Sequence, residues 1–88
     1  VTEAPDDAAD TLVDARGLLC PLPVVKTRER IKTLPPGSRL DVLADDPLVR
    51  LDMQAFCARD GHRYLGAHDL GGGAWRMALR TADGRAPA

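Results

Sequence analysis

Apolar and polar positions switch period several times along this chain. Residues 11–15 contain a short apolar segment, Leu12-Val13, that reads as a first strand, and Gly17 punctuates it. From Cys20 the interval changes. Val24, Arg28, Ile31 and Leu34 lie close to one stripe at intervals of four, three and three; Leu22 and Val25 widen it, and Lys26, Arg30 and Lys32 fall outside it. The spacing predicts a helix beginning at Cys20, with Pro21 at the first helical position, where a missing N–H costs nothing. Pro35-Pro36-Gly37 stops it.

Alternation returns over residues 39–44, where Leu40, Val42 and Ala44 face away from Asp41 and Leu43. Asp45-Asp46-Pro47 then opens a second helix, with Asp46 as N-cap and Pro47 as first residue. Leu48, Leu51, Ala55 and Ala58 mark one stripe of it, broadened by Val49, Met53 and Phe56, and Gly61 supplies a left-handed cap. Residues 62–68 form a third strand, residues 70–73 a turn, and residues 74–80 a fourth strand with Trp75, Met77 and Leu79 on one face. The order is β-α-β-α-β-β. Two helical crossovers imply parallel neighbours and right-handed connections. The expected fold is an α/β (α+β) two-layer sandwich: a four-stranded mixed sheet with both helices on one face.

With 88 residues the chain is one domain. Residues 1–10 are acidic and aperiodic and read as a disordered arm, residues 11–80 as the domain, and residues 81–88 as a flexible tail. Phe56, Tyr64 and Trp75 are the only aromatic residues, which leaves no stacking platform for single-stranded nucleic acid. The net charge of −1 gives no bias toward nucleic acid or membrane. The distribution is uneven, however. Arg16, Lys26, Arg28, Arg30, Lys32 and Arg39 face a single acid, Glu29, within residues 15–39. That stretch suits either a solvated helix face or a docking face for an acidic partner. No secretory signal and no membrane span are read, so a reducing cytoplasm is the expected location.

Candidate chemistry centres on Cys20 in the run Cys20-Pro21-Leu22-Pro23. As the N-cap of the first helix, its thiolate would be stabilised by the positive end of the helix dipole, and its pKa would fall. Pro23 lacks an N–H, so only the Leu22 amide remains for the sulfur, and the Val24 amide goes to the Cys20 carbonyl. The sulfur would be steadied yet open to attack. The bland alternative is an inert cysteine at a helix end.

The run Asp14-Ala15-Arg16-Gly17-Leu18-Leu19-Cys20-Pro21-Leu22-Pro23, followed by Lys26, resembles the TusA/SirA-like sulfur carrier family. Gly37, the Leu40/Val42 strand, Asp45-Asp46-Pro47, Asp52-Met53 and Gly61-His62 extend the resemblance to residues 11–80. It implies that Cys20 carries sulfur as a persulfide, supported by Pro21, Leu22 and Pro23. It also implies a cysteine desulfurase or a rhodanese as donor. The acceptors would be relay proteins such as the DsrE type, in tRNA thiolation, molybdenum-cofactor or sulfur-oxidation pathways. Arg16 and Lys26 match basic positions thought to aid docking, and Arg30 extends that basic face. The implied protein is a monomeric carrier rather than a turnover enzyme, with no cofactor beyond the covalent sulfur and no direct nucleic-acid contact. Two rivals stand beside it: a regulatory protein- or RNA-binding module with Cys20 incidental, and a thiol redox switch.

Other residues read more plainly. Cys57 is a small apolar filler. Cys57 and His62 are too few for a zinc site. His62 helps close the second helix and start the third strand. Gly71-Gly72-Gly73 leads into a strand and so is a hairpin turn, not a phosphate loop. Capping accounts for Asp46, and solvent exposure for Asp45.

Overall fold

A computed structural model describes residues 11–82; the acidic arm at 1–10 and the tail from 83 onward lie outside the described residues. The elements are β1 (Thr11–Asp14), α1 (Leu22–Ile31), β2 (Arg39–Ala44), α2 (Val49–Asp60), β3 (Arg63–Gly71) and β4 (Ala74–Arg80). They form a single four-stranded sheet in the order β1-β2-β4-β3. β1 runs parallel to β2, with Val13 opposite Val42, and α1 makes the crossover that a parallel pair needs. β4 runs antiparallel to both β2 and β3.

The second crossover departs from the expected pairing. β3 is not the neighbour of β2; β4 lies between them. Burial explains the order. Met77 and Leu79 of β4 are fully buried opposite Val42 and Leu40, whereas Tyr64 is only half-buried in a β3 that is otherwise mostly exposed. The strand with the stronger apolar face takes the interior of the sheet, and the weaker one takes the edge. Gly72 and Gly73 join β3 to β4 with φ of 63° and 86°, the two positive values of a type I′ hairpin turn.

One core holds the layers together. Val13, Leu40, Val42, Met77 and Leu79 from the sheet pack with Val49, Met53, Phe56 and Cys57 of α2, and Val24, Ile31 and Leu34 close it from the α1 side. The stripes differ from those the periodicity marks. In α1, Pro23 and Thr27 are buried and Arg28 is exposed. Proline and threonine do not register as apolar markers, yet they line up with Ile31 at intervals of four. In α2, Leu48 and Leu51 are 55% and 67% exposed and Ala55 and Ala58 also face solvent, while Val49, Met53, Phe56 and Cys57 turn inward. Both stripes are apolar, and the one with Met53 and Phe56 removes more surface from water.

The helix ends also differ. α2 begins at Val49, not Pro47, after a turn in which the Val49 N–H donates to the Asp46 carbonyl. It closes on Gly61 at φ 83°, with the His62 N–H donating to the Cys57 carbonyl at 2.9 Å in a Schellman arrangement. Gly61→Ala should lower stability by about 1 kcal/mol, because a side chain strains the left-handed backbone; urea denaturation reads this directly.

Residues 81 and 82, expected within the tail, are tied down. Thr81 N–H donates to the Ser38 carbonyl at 2.9 Å, its hydroxyl accepts from Ser38 N–H at 2.9 Å, and Ala82 N–H donates to His62 Nδ1 at 2.9 Å. The Thr81 hydroxyl and the His62 ring supply two of these three ties from outside any periodic run, so no pattern announces them.

Candidate functional site

Cys20 lies in the loop that joins the β1 edge of the sheet to α1. Ala15, fully buried, anchors the start of the loop, and its N–H donates to the Leu43 carbonyl at 2.7 Å. Leu18 N–H returns to the Ala15 carbonyl at 3.2 Å, and Leu22 N–H to the Leu19 carbonyl at 2.8 Å. The loop is further held by the β2–α2 turn. Asp45 Oδ1 accepts from Gly17 N–H at 3.0 Å. Asp46, 6% exposed, accepts from Leu48 N–H at 2.9 Å through Oδ1 and from Cys20 N–H through Oδ2. One buried carboxylate therefore ties the turn before α2 to the backbone of the exposed cysteine. Solvent does not account for Asp45, and Asp46 is not the N-cap of α2: Leu48 holds that position, with no side-chain capping bond.

The Cys20 side chain is not where an N-cap would put it. Pro21 is the N-cap of α1, and the first helical bond runs from Val25 N–H to the Pro21 carbonyl at 3.0 Å. The Leu22 amide is taken by Leu19, so the sulfur receives no amide from it. Instead the Sγ–H of Cys20 donates to Oδ2 of Asp52, in the first turn of α2. This reverses the expected acidity. The hydrogen bond to Asp52 pushes the Cys20 thiol pKa up, with further contributions from desolvation and the nearby charges of Asp52 and Asp46. The helix starts one residue later than the spacing indicates, and carboxylates close to the sulfur outweigh a helix terminus that no longer points at it.

Asp52 and Asp46 are thus the residues that sequence reasoning placed in the family pattern without giving them work at the site. The signal available was an acid in the first turn of α2 and a second acid at the preceding turn; their convergence on Cys20 needs the tertiary fold.

The basic positions are partly assembled. Arg16 makes a two-pronged bond to Asp14, at 2.9 Å and 2.7 Å, and Lys26 Nζ donates to the Asp14 carbonyl at 2.7 Å. The Arg16 guanidinium holds the Asp14 carboxyl well below the usual carboxylate range, and Arg16 is raised in turn. Arg30 stands apart, about 12 Å of helix beyond Leu22, with its guanidinium against the Thr33 hydroxyl at 3.3 Å. Of the motif residues, Pro23 is buried on the inner face of α1 and Leu22 is exposed. Leu19, at 70% exposure, faces solvent, as do Leu22, Leu48 and Leu51.

Cys57 and His62 do not meet as a ligand pair free to take a metal. Cys57 is buried in the core, and His62 uses Nδ1 for Ala82 while its ring packs on Phe56 at 5.3 Å. Burial pushes the Cys57 thiol up to about 11. The native state therefore keeps a proton that the unfolded chain gives up earlier. The stability this contributes is complete below about pH 9 and is lost as pH rises toward about 11. Urea midpoints across that range should fall less steeply in Cys57→Ala than in the parent.

A family model described as sulfurtransferase TusA matches residues 11–81. The chain belongs to the TusA family. It is 40% identical over 58 residues to the sulfur carrier protein TusA of Pseudomonas aeruginosa (strain LESB58), covering 66% of this chain and 73% of that one. It is 40% identical over 63 residues to TusA of Pseudomonas fluorescens (strain SBW25), covering 72% and 76%. The match to YrkF of Bacillus subtilis is 41% over 63 residues, 72% of this chain but only 34% of that longer relative. In structure, this TusA-family domain superposes on the SirA-like protein of Desulfitobacterium hafniense with a TM-score of 0.71, covering 82% of this chain and 97% of the other at 20% identity. At that identity the likeness speaks for the fold. TusA membership makes the protein a sulfur carrier, with a donor and an acceptor as its partners. Among the described residues, no helix is long and apolar enough to cross a membrane.

Proposed function

We propose that Cys20 is the atom-carrying residue: it accepts sulfur as a persulfide and passes it to an acceptor protein. The observation that carries this is the placement of an exposed thiol on a loop whose backbone is pinned at Gly17 and at Cys20 itself. The sulfur is open to a partner, while Asp46 holds its main chain in place.

The exchange balances without a redox co-reactant. The Cys20 sulfur forms a bond to the outer sulfur of a donor persulfide. The donor's S–S bond breaks, and its electron pair returns to the donor cysteine. The proton that leaves Cys20 is balanced by the one the donor thiol takes up. Unloading repeats the step, with an acceptor thiolate attacking the outer sulfur of Cys20 persulfide. The sulfur is cargo, and no resident cofactor is called for. The protein emerges as it entered, a carrier rather than a turnover enzyme.

A cysteine desulfurase or a rhodanese fits the donor role, and a DsrE-type relay protein the acceptor role, in tRNA thiolation, molybdenum-cofactor or sulfur-oxidation pathways of the cytoplasm. Arg16 and Lys26 lie at the Asp14 end of β1, on the loop side of the domain, and would add a basic shoulder for docking; Arg30 would serve a larger partner only. Intact-protein mass spectrometry tests the reading. After incubation with a cysteine desulfurase and cysteine, or with a rhodanese and thiosulfate, Cys20 should gain one sulfur mass that a reductant removes. Failure of both donors to load this protein, while a control carrier is loaded, would overturn it.

A further inference from the structure

We propose that Asp52 is a positioning residue that keeps the Cys20 proton on sulfur in the resting carrier, so that the exposed thiol stays a poor nucleophile until a partner docks. The inference rests on the reading of Cys20 as the working residue, and concerns how its reactivity is held in check.

Three observations converge. The Cys20 thiol is solvent-exposed, yet its hydrogen is directed at Asp52 Oδ2 rather than left to solvent. Asp52 is half-buried on a well-packed helix, between Val49 and Met53, so its position is set by the core and not by the cysteine. The Cys20 backbone is held independently, by Asp46. Donor and acceptor are therefore brought together by two separate anchors, one on each side of the contact.

The charges facing the sulfur favour the neutral thiol. Asp52 approaches from α2 and Asp46 from the turn before it. The cations of the loop and of the N-terminal half of α1, Arg16 and Lys26, are both bonded to Asp14. A thiolate at Cys20 would face the Asp52 carboxylate and lose its hydrogen bond in the same step. Only the thiolate attacks a disulfide-type sulfur or an electrophile, so the resting protein is slow toward stray oxidants and alkylating agents. A cationic group of the partner that pairs with Asp52 on docking would remove this restraint.

Alkylation of Cys20 by iodoacetamide across a pH series tests the inference without any sulfur donor. In Asp52→Asn the pH profile should move to lower pH, and the rate at neutral pH should rise roughly threefold to tenfold, as the thiolate fraction rises. Asp60→Asn removes an equal charge from the far end of α2 and should leave the profile in place. Peptide-level mass spectrometry assigns the label to Cys20, and circular dichroism verifies the fold. An Asp52→Asn profile that stays put or moves to higher pH overturns the inference, as does an equal shift in Asp60→Asn. If Cys20 loads sulfur but the profile does not move, the restraint fails and the carrier reading stands. If the profile moves but no donor loads Cys20, the restraint stands and the persulfide reading fails.

Discussion

Cys20→Ser should abolish sulfur loading while the protein still folds; Cys57→Ser should load as the parent does. The two expectations follow from opposite environments. Cys20 is exposed on a loop, and its thiol is hydrogen-bonded to Asp52. A serine hydroxyl preserves that hydrogen bond and removes no packed surface, so stability should change by less than about 0.5 kcal/mol, as for surface substitutions generally. A hydroxyl cannot hold sulfur as a persulfide. Cys57 is 1% exposed, among Val49, Met53 and Phe56, with its thiol held neutral by burial. It offers a donor neither access nor thiolate, and its loss should be felt in stability. Mass spectrometry of both variants after incubation with a donor, with thermal unfolding alongside, separates these outcomes. Sulfur retained on Cys20→Ser would place the carrier atom elsewhere.

Asp46→Ala should cost about 3 kcal/mol of stability and slow sulfur loading as well, the lost anchoring of the loop outweighing the small gain in thiolate from removing one nearby charge. Asp46 is buried, and its carboxylate accepts from two backbone N–H groups, those of Leu48 and Cys20. Hydrogen bonds to a charged acceptor contribute about 1.5–3 kcal/mol each, and donors left buried without a partner add a desolvation cost. Part of that loss is recovered where the Cys20 loop opens to water, which is why the estimate lies below the sum. The functional effect follows from geometry. Without Asp46 the loop loses the backbone tie at Cys20 itself, and the bond from Gly17 to Asp45 that remains is more distant. Urea denaturation reads the first effect. Loading rates measured well below the unfolding transition read the second, and a variant that is destabilised but loads at the parent rate would show that the tie is structural alone.

Much of the architecture was legible because it depends on local signals. Gly61 ends α2, and Gly72-Gly73 turns β3 into β4, since these backbone conformations favour glycine. Alternation over 39–44 and 74–80 identified the two inner strands, and their registered pairs, Val42 with Met77 and Leu40 with Leu79, are the core of the sheet. Where local signals were degenerate, the reading failed. Either face of α2 is apolar, so periodicity could not say whether Leu51 or Phe56 turns inward. Nor could it place β4 beside β2, because strand order is chosen by the total burial of the sheet and not by any one segment.

At the site the division is sharper. The sequence by itself determined the kind of chemistry, through a cysteine followed by Pro21 and Pro23 in a family pattern that reaches to Gly61-His62, and it determined that the cysteine sits at a strand-to-helix junction. Only the tertiary structure decided the state of the sulfur. The carboxylates of Asp46 and Asp52 stand 26 and 32 residues from Cys20 along the chain. They meet it because the α1 crossover returns the chain to β2, beside β1, and so brings the turn into α2 alongside the Cys20 loop. Helix capping acts within one turn and can be read from neighbours in sequence. The electrostatic environment of an exposed thiol is set by whichever charges the fold carries to within a few ångströms of it, and in this protein those charges come from another element.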